Sequence, residues 1–246
     1  VYIWDMDETL ILLKSLLDGT YAGVFNGMKD TKKGFEIGKH WENHILRVCD
    51  EFFFYEVIEN YNEPYLDALS EYDDGRDLSN YDFSNDGFDD ANKRKLAYRH
   101  RSIAEKYSQG LHKVLDQQMI KLWNDLYSLT DSYTGGWLSS AHALLEQQSI
   151  NVLVTSGSLV PSLAKCLLYR LDDVIVYSSW EVGKLQCFSW IKERFPNVRF
   201  CVIGDGTEEC AAAETMRWPF IKIDIRPYRF PGLTMEMVQS YIDVIY

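Results

Sequence analysis

Five short apolar runs, Val1–Trp4, Ile150–Thr155, Asp173–Tyr177, Arg199–Gly204 and Pro219–Asp224, constrain this 246-residue chain more than any other feature. Each is too short and too continuous for an amphipathic helix, and suits a strand covered on both faces. Helix-like tracts alternate with the later runs, at Lys184–Phe195, Glu208–Met216 and Met235–Tyr246. Such alternation means βαβ units, right-handed crossovers and a parallel sheet. The expected fold is α/β, a doubly wound parallel sheet of Rossmann-like type.

Between the first run and the second the pattern turns helical. Ile37, Trp41, Ile45, Val48 and Phe52 recur at three- and four-residue steps within Phe35–Tyr61, one face of an amphipathic helix. Leu115, Met119, Leu122, Leu126 and Leu129 keep a 4-3-4-3 spacing, which predicts a helix that packs on other helices. Residues 71–92 are rich in Asp, Asn, Ser and Gly and read as loop; the basic tract that follows (Lys93, Arg94, Lys95, Arg99, Arg101) is expected to pair with it. The chain thus divides into a core, residues 1–27 and 129–246, and a helical-bundle insertion, residues 28–128.

Apolar residues make up 46% of the chain and aromatics 14%, enough for a packed interior. A formal charge of −12 opposes direct nucleic-acid binding, so any phosphate site has to be locally cationic. No run reaches the eighteen or so apolar residues of a membrane span. Cysteines 49, 166, 187, 201 and 210 form no zinc pair, and several, set in apolar runs, read as buried thiols; none has Arg six positions on, which excludes a C-x₅-R thiol phosphatase. His40 and His44 lack the HExxH pattern and read as a packed or solvated pair. Asp82–Gly87 looks like the start of a calcium loop, but the twelfth position is Lys93 where a bidentate Glu is needed. The chain opens inside a strand-like run, as a piece of a longer protein would.

Candidate chemistry sits where the runs end. Asp5 and Asp7 follow the first run, at the sheet edge where open α/β folds bind ligands. Two carboxylates that close repel each other unless a cation or a shared proton intervenes, and Mg²⁺ takes oxygen donors and pairs with phosphate. Thr155-Ser156-Gly157-Ser158 turns from strand to helix, offering hydroxyls and free backbone N–H groups to an anion. Lys184 follows Gly183 at the start of a helix, and Asp205 lies in Gly204-Asp205-Gly206 after the fourth run. Each of these alone is an ordinary turn, cap or solvated charge. Their order, each at a strand end, matches the haloacid-dehalogenase-like phosphohydrolase pattern.

The resemblance extends further. Trp4–Thr9, Ser15–Thr20, Tyr81–Phe88, Arg94–Tyr98, Asn151–Thr155 and Ile203–Gly206 are similar to the conserved domain of the Eyes absent family, and most resemble a plant-type member, over essentially the whole chain. That resemblance implies a Mg²⁺-dependent protein tyrosine phosphatase with a haloacid-dehalogenase-like core and a helical cap. By motif, Asp5 is the nucleophile and a metal ligand, and Asp7 is the acid/base and lends the metal its backbone carbonyl. Thr155, Ser156 and Lys184 hold the phosphoryl group, Asp205 completes the metal site, and Thr9 and Glu209 support it from behind. The resemblance also implies a phosphotyrosine protein or peptide as substrate, a protein partner docked on the helical insertion, and a place in nucleus and cytoplasm. Animal members carry a long N-terminal transactivation segment that these residues do not contain, and Ser156-Gly157 stands where a more hydroxyl-rich pattern is expected. Two other readings remain open on the residues alone: a phosphatase of small metabolites on the same core, and an interaction module or transcriptional cofactor.

Overall fold

The computed structural model describes residues 1–86, 93–146, 150–171, 174–225 and 234–246. Gly87 and Phe88 of the Tyr81–Phe88 motif, the end of the 71–92 loop, and Asp173, expected to open the third strand, lie outside the described residues.

The elements run in the order β1 (Tyr2–Trp4), α1 (Lys14–Leu17), α2 (Thr20–Gly23), α3 (Thr31–Phe52), α4 (Tyr55–Ile58), α5 (Lys93–Gln109), α6 (Gln117–Tyr133) and α7 (Trp137–Leu145). They continue with β2 (Asn151–Thr155), α8 (Leu159–Leu168), β3 (Ile175–Ser178), α9 (Lys184–Arg194), β4 (Cys201–Gly204), α10 (Thr207–Met216), β5 (Phe220–Lys222) and α11 (Met235–Ile245). A short 3₁₀ segment, Leu66–Tyr72, precedes α5. No helix among the described residues is long and apolar enough to cross a membrane.

Among the described residues five strands pair in parallel, in the order β3-β2-β1-β4-β5. The fold is the expected α/β doubly wound sheet. β1 is central because its side chains alternate between two interiors. Trp4 joins Leu153, Val176, Ile203 and Ile221 in one apolar cluster with α3, α6, α8 and α11. Ile3 joins Val152, Val154, Tyr177 and Val202 in a second cluster with α9 and α10. Burial on both faces is why the inner strands read as apolar runs, whereas the edge strand β5 carries the exposed Lys222.

The region between α2 and α7 departs from the sequence pattern in instructive places. The first long helix starts at Thr31, because the Asp30 side chain accepts the Lys33 N–H as an N-cap. It stops after Phe52, and Phe54 takes a left-handed φ of 57° before the short helix α4. In α6 the buried face is Met119, Trp123, Leu126, Tyr127 and Thr130, whereas Leu122 and Leu129 are half exposed. The aromatic residues decide the rotation: Trp123 donates its indole N–H to the Leu168 carbonyl at 2.6 Å, and Tyr127 lies under the Arg170 guanidinium. As expected, the basic start of α5 pairs with the acidic loop, through Arg94–Asp74, Lys95–Asp86, Arg99–Asp86 and Arg101–Asp73.

Candidate active site

The register of β1 builds the site. Trp4 pairs with Leu153 on one side and Ile203 on the other, so Asp5, Thr155 and Asp205 emerge together at the carboxyl edge. Asp5 extends the ladder by donating its N–H to the Ile203 carbonyl. Chain connections leave β1 in one direction through β2 and β3, and in the other through β4 and β5. The crevice between β1 and β4 is the topological switch point, where such sheets bind ligands.

Asp5 is buried and faces Lys184, whose Nζ donates to Asp5 Oδ1 at 2.5 Å and to Glu209 Oε2 at 2.8 Å. The Thr9 hydroxyl lies 3.3 Å from Asp5 Oδ2 and 3.4 Å from Asp205 Oδ1, bridging the two aspartates. Glu209 folds back along the start of α10 and accepts the Gly206 N–H. That fold explains both glycines. A Cβ at Gly204 would lie 2.7 Å from the Glu209 side chain, and one at Gly206 would lie 2.8 Å from it.

Oxygens of Asp5, Asp205 and Glu209 lie within 4.8 Å of one another, a group able to hold a metal ion. Burial pushes the Asp5 carboxyl up to about 7, against the opposing pull of Lys184 and with help from Glu209 and Asp205. Asp205 is raised by burial and then by Glu209. Burial alone would lower Lys184 and raise Glu209, but their mutual pairing, with Asp5, moves Lys184 up and Glu209 down. Two of the three acids, Asp5 and Glu209, thus share one ammonium. An all-oxygen donor set with surplus negative charge fits a hard divalent cation such as Mg²⁺.

The other expected residues lie nearby in different roles. Thr155 is buried at the end of β2, and its hydroxyl accepts the Gly157 N–H at 3.1 Å. Ser156 is exposed and contacts Glu208 Oε2 at 3.4 Å. Asp7 does not share Lys184. Its carboxylate accepts from Lys165 Nζ of α8 at 2.7 and 3.0 Å.

Sequence reasoning missed Lys165 and Glu208. Lys165 is an internal helix lysine with no motif around it, so no local signal marks it. Glu208 stands in the first turn of α10, where acids commonly serve the helix dipole; it accepts the Lys184 N–H at 3.3 Å and so links the starts of α9 and α10. Beside Asp205 opens a cleft of about 350 Å³ lined by Glu8, Lys14, Ser15, Asp18 and Lys222.

A doubly wound parallel sheet with acids at the ends of β1 and β4, and a lysine opening the helix after β3, defines a haloacid-dehalogenase-like α/β protein. No protein-family model matches the chain. Among curated proteins, it is 57% identical over 277 aligned positions to Protein phosphatase EYA of Arabidopsis thaliana, covering 100% of this chain and 90% of that one. It is 34% identical to Protein phosphatase EYA2 of Homo sapiens and 33% identical to Protein phosphatase eya of Drosophila melanogaster, each across 91% of this chain. The chain spans 47% of the human relative and 33% of the fly one. It belongs to the Eyes absent family of protein phosphatases, with higher identity to the plant member than to these animal ones.

Proposed function

We propose that this protein is a Mg²⁺-dependent protein tyrosine phosphatase that works through an aspartyl-phosphate on Asp5. The observation that carries the reading is the gathering of Asp5, Asp205 and Glu209 at the switch point of the sheet, with one lysine, Lys184, held between Asp5 and Glu209. Asp5 is the nucleophile: an oxygen lone pair attacks phosphorus as the bond to the tyrosyl oxygen breaks. Asp7 gives the departing phenolate a proton, then takes one from the water that cleaves the aspartyl-phosphate and releases inorganic phosphate.

Lys184 neutralises Asp5 and, with it, the incoming phosphoryl oxygens. Thr155 and Ser156 contribute hydroxyls and backbone N–H groups around that charge, and Thr9 with Glu209 keeps Asp5, Asp205 and Lys184 in register. The metal would be held by Asp5 and Asp205 side chains, with the Asp7 backbone carbonyl, and Glu209 alongside. When bound it supplies the positive charge that keeps Asp5 ionised at neutral pH and withdraws charge from the phosphoryl group.

The core is residues 1–27 and 129–246, with residues 28–128 as a helical insertion that caps it and docks a protein partner; the working locations are nucleus and cytoplasm. The test is phosphate release from a phosphotyrosine peptide, with a phosphoserine peptide and a sugar phosphate alongside. The wild type is expected to act on phosphotyrosine only with Mg²⁺, and Asp5→Asn to lose about 10³-fold or more. Turnover by Asp5→Asn comparable to wild type would falsify the mechanism, and preference for the sugar phosphate would make the protein a small-metabolite phosphatase instead.

A further inference from the structure

Each aspartate of the Asp5-x-Asp7 pair has its own lysine. Lys184 reaches Asp5 from α9, and Lys165 reaches Asp7 from α8. The two contacts differ in setting. Lys184 and Asp5 are almost fully enclosed, whereas the Asp7 side chain is 37% exposed and Lys165 16%. Ion pairs of that exposure add little to stability, so orientation is the consequence that counts.

The backbone around Asp7 leaves only its side chain to be oriented. Asp7 bridges to Ile11, the Glu8 N–H donates to the Ile11 carbonyl at 2.7 Å, and Glu8 itself sits at a φ of 60°. Lys165 then reaches both carboxylate oxygens of Asp7, at 2.7 and 3.0 Å.

α8 makes that hold rigid. It starts directly after the Thr155–Ser158 turn, so the helix that follows the phosphate-binding residues also carries Lys165. Tyr169 caps the carboxyl end of α8 and donates its backbone N–H to the Lys165 carbonyl at 2.8 Å. Its hydroxyl is buried, faces the negative charge of Asp7 and Glu8, and has no hydrogen-bond partner among the described residues. The Tyr169 ring stacks on Trp41 of α3, with ring centroids 4.2 Å apart, which braces α8 from the helical region.

The geometry points to Lys165 as the positioning residue for the acid/base of the reaction, holding the Asp7 carboxyl in place for the leaving oxygen. This rests on the role given to Asp7 under the proposed function. One carboxyl oxygen is enough for the hold. A protonated Asp7 keeps its carbonyl oxygen on the Lys165 ammonium while its hydroxyl oxygen passes the proton to the phenolate. The O–H bond of Asp7 breaks, the phenol O–H forms, and Lys165 keeps all its protons.

The test separates aim from folding by the leaving group. Phenyl phosphate needs its leaving oxygen protonated, whereas 2,4-dinitrophenyl phosphate does not. Because kcat/KM covers the steps through departure of the leaving group, it isolates the acid step. Lys165→Met is expected to lower kcat/KM for phenyl phosphate by about 10-fold or more and for 2,4-dinitrophenyl phosphate by less than about threefold, within the range of general-acid contributions. Lys165→Gln, a second variant should the first fold poorly, is expected to show the same selectivity, and Lys165→Arg to restore both rates.

Asp7→Asn is run beside them and is expected to give the same pattern, larger. Equal losses on both substrates, or no loss, in the Lys165 variants while Asp7→Asn remains selective would overturn the role of Lys165 alone. Loss of selectivity in Asp7→Asn would overturn the acid role of Asp7, and this inference with it. Melting temperatures measured with and without Mg²⁺ are expected to shift by the same increment in Lys165→Met and wild type. A lost increment would mark Lys165 as a support of the metal site rather than of the acid.

Discussion

Two regions of this molecule bury charge, and they do it in opposite ways. At the sheet edge, Lys184 pairs with Asp5 and Glu209, and Asp205 stands close by without a cation of its own, so three acids gather around one cation. In α5, Arg99 is just as deeply buried but is surrounded by matching acceptors: Asp86, and the carbonyls of Phe83, Asp86 and Lys95. Its guanidinium also lies over the rings of Phe54 and Phe83. The α5 cluster pairs its buried cation with an acid, and its consequence is to tie the acidic loop to a helix. The sheet-edge cluster is short of positive charge, and a shortage that burial does not relieve by pairing calls for a ligand.

The largest effect that tests this contrast comes from removing each buried cation. Lys184→Met and Arg99→Met are both expected to cost about 3–5 kcal/mol, the usual penalty for leaving a buried charge or its acceptors unpaired. Added Mg²⁺ is expected to recover part of the loss in Lys184→Met, by neutralising the acids left behind, and none in Arg99→Met. Urea unfolding of both variants with and without Mg²⁺ checks this; equal recovery in the two would erase the distinction.

The pH dependence of stability is expected to carry opposite signs in the two regions. His100 of α5 is buried and held down to about 4 from an ordinary 6.5, chiefly by desolvation. Above pH 6.5 it is neutral in both states. As pH falls from 6.5 to 4 the unfolded chain takes a proton that the native one refuses, so stability declines by up to about 3 kcal/mol across that window. His100→Leu is expected to remove that decline, read from urea midpoints at pH 7 and pH 4. Asp5, raised to about 7 by burial, works the other way. Between its ordinary value and 7 the native metal-free protein binds the extra proton, so stability declines as pH rises through that range. Asp5→Asn is expected to flatten that slope and leave the His100 one unchanged.

A smaller effect sharpens the comparison within the sheet-edge site. Gly204→Ala places a methyl 2.7 Å from Glu209, so the carboxylate has to withdraw from Lys184. A loss of about 1–3 kcal/mol is expected, as for other overpacked sites, together with a fall in turnover. If Gly204→Ala keeps full activity, Glu209 does not hold Lys184 in its working position.

Much of this architecture was legible in the chain. Continuous apolar runs marked strands that the fold buries on both faces, and the polar residue after each run marked the carboxyl edge. Helix rotations were less legible. Leu122 and Leu129 fit the heptad-like spacing of α6 but stand half exposed, because Trp123 and Tyr127 carry more apolar area and find partners at the end of α8 and just beyond it, Leu168 and Arg170. The break at Phe54 left no trace either, since a left-handed phenylalanine is paid for by packing that periodicity does not see.

By itself the sequence determined which residues lie at strand ends, because a strand's termini and alternation follow from local residue types. It placed Asp5, Asp7, Thr155, Lys184 and Asp205 along one edge in a stated order. Only the tertiary structure decided how their charges are divided: Lys184 to Asp5 and Glu209, Lys165 to Asp7, and Glu209 folded over two glycines. Pairing across long separations depends on the order of strands and the rotation of helices, and neither is written in the spacing of residues along the chain.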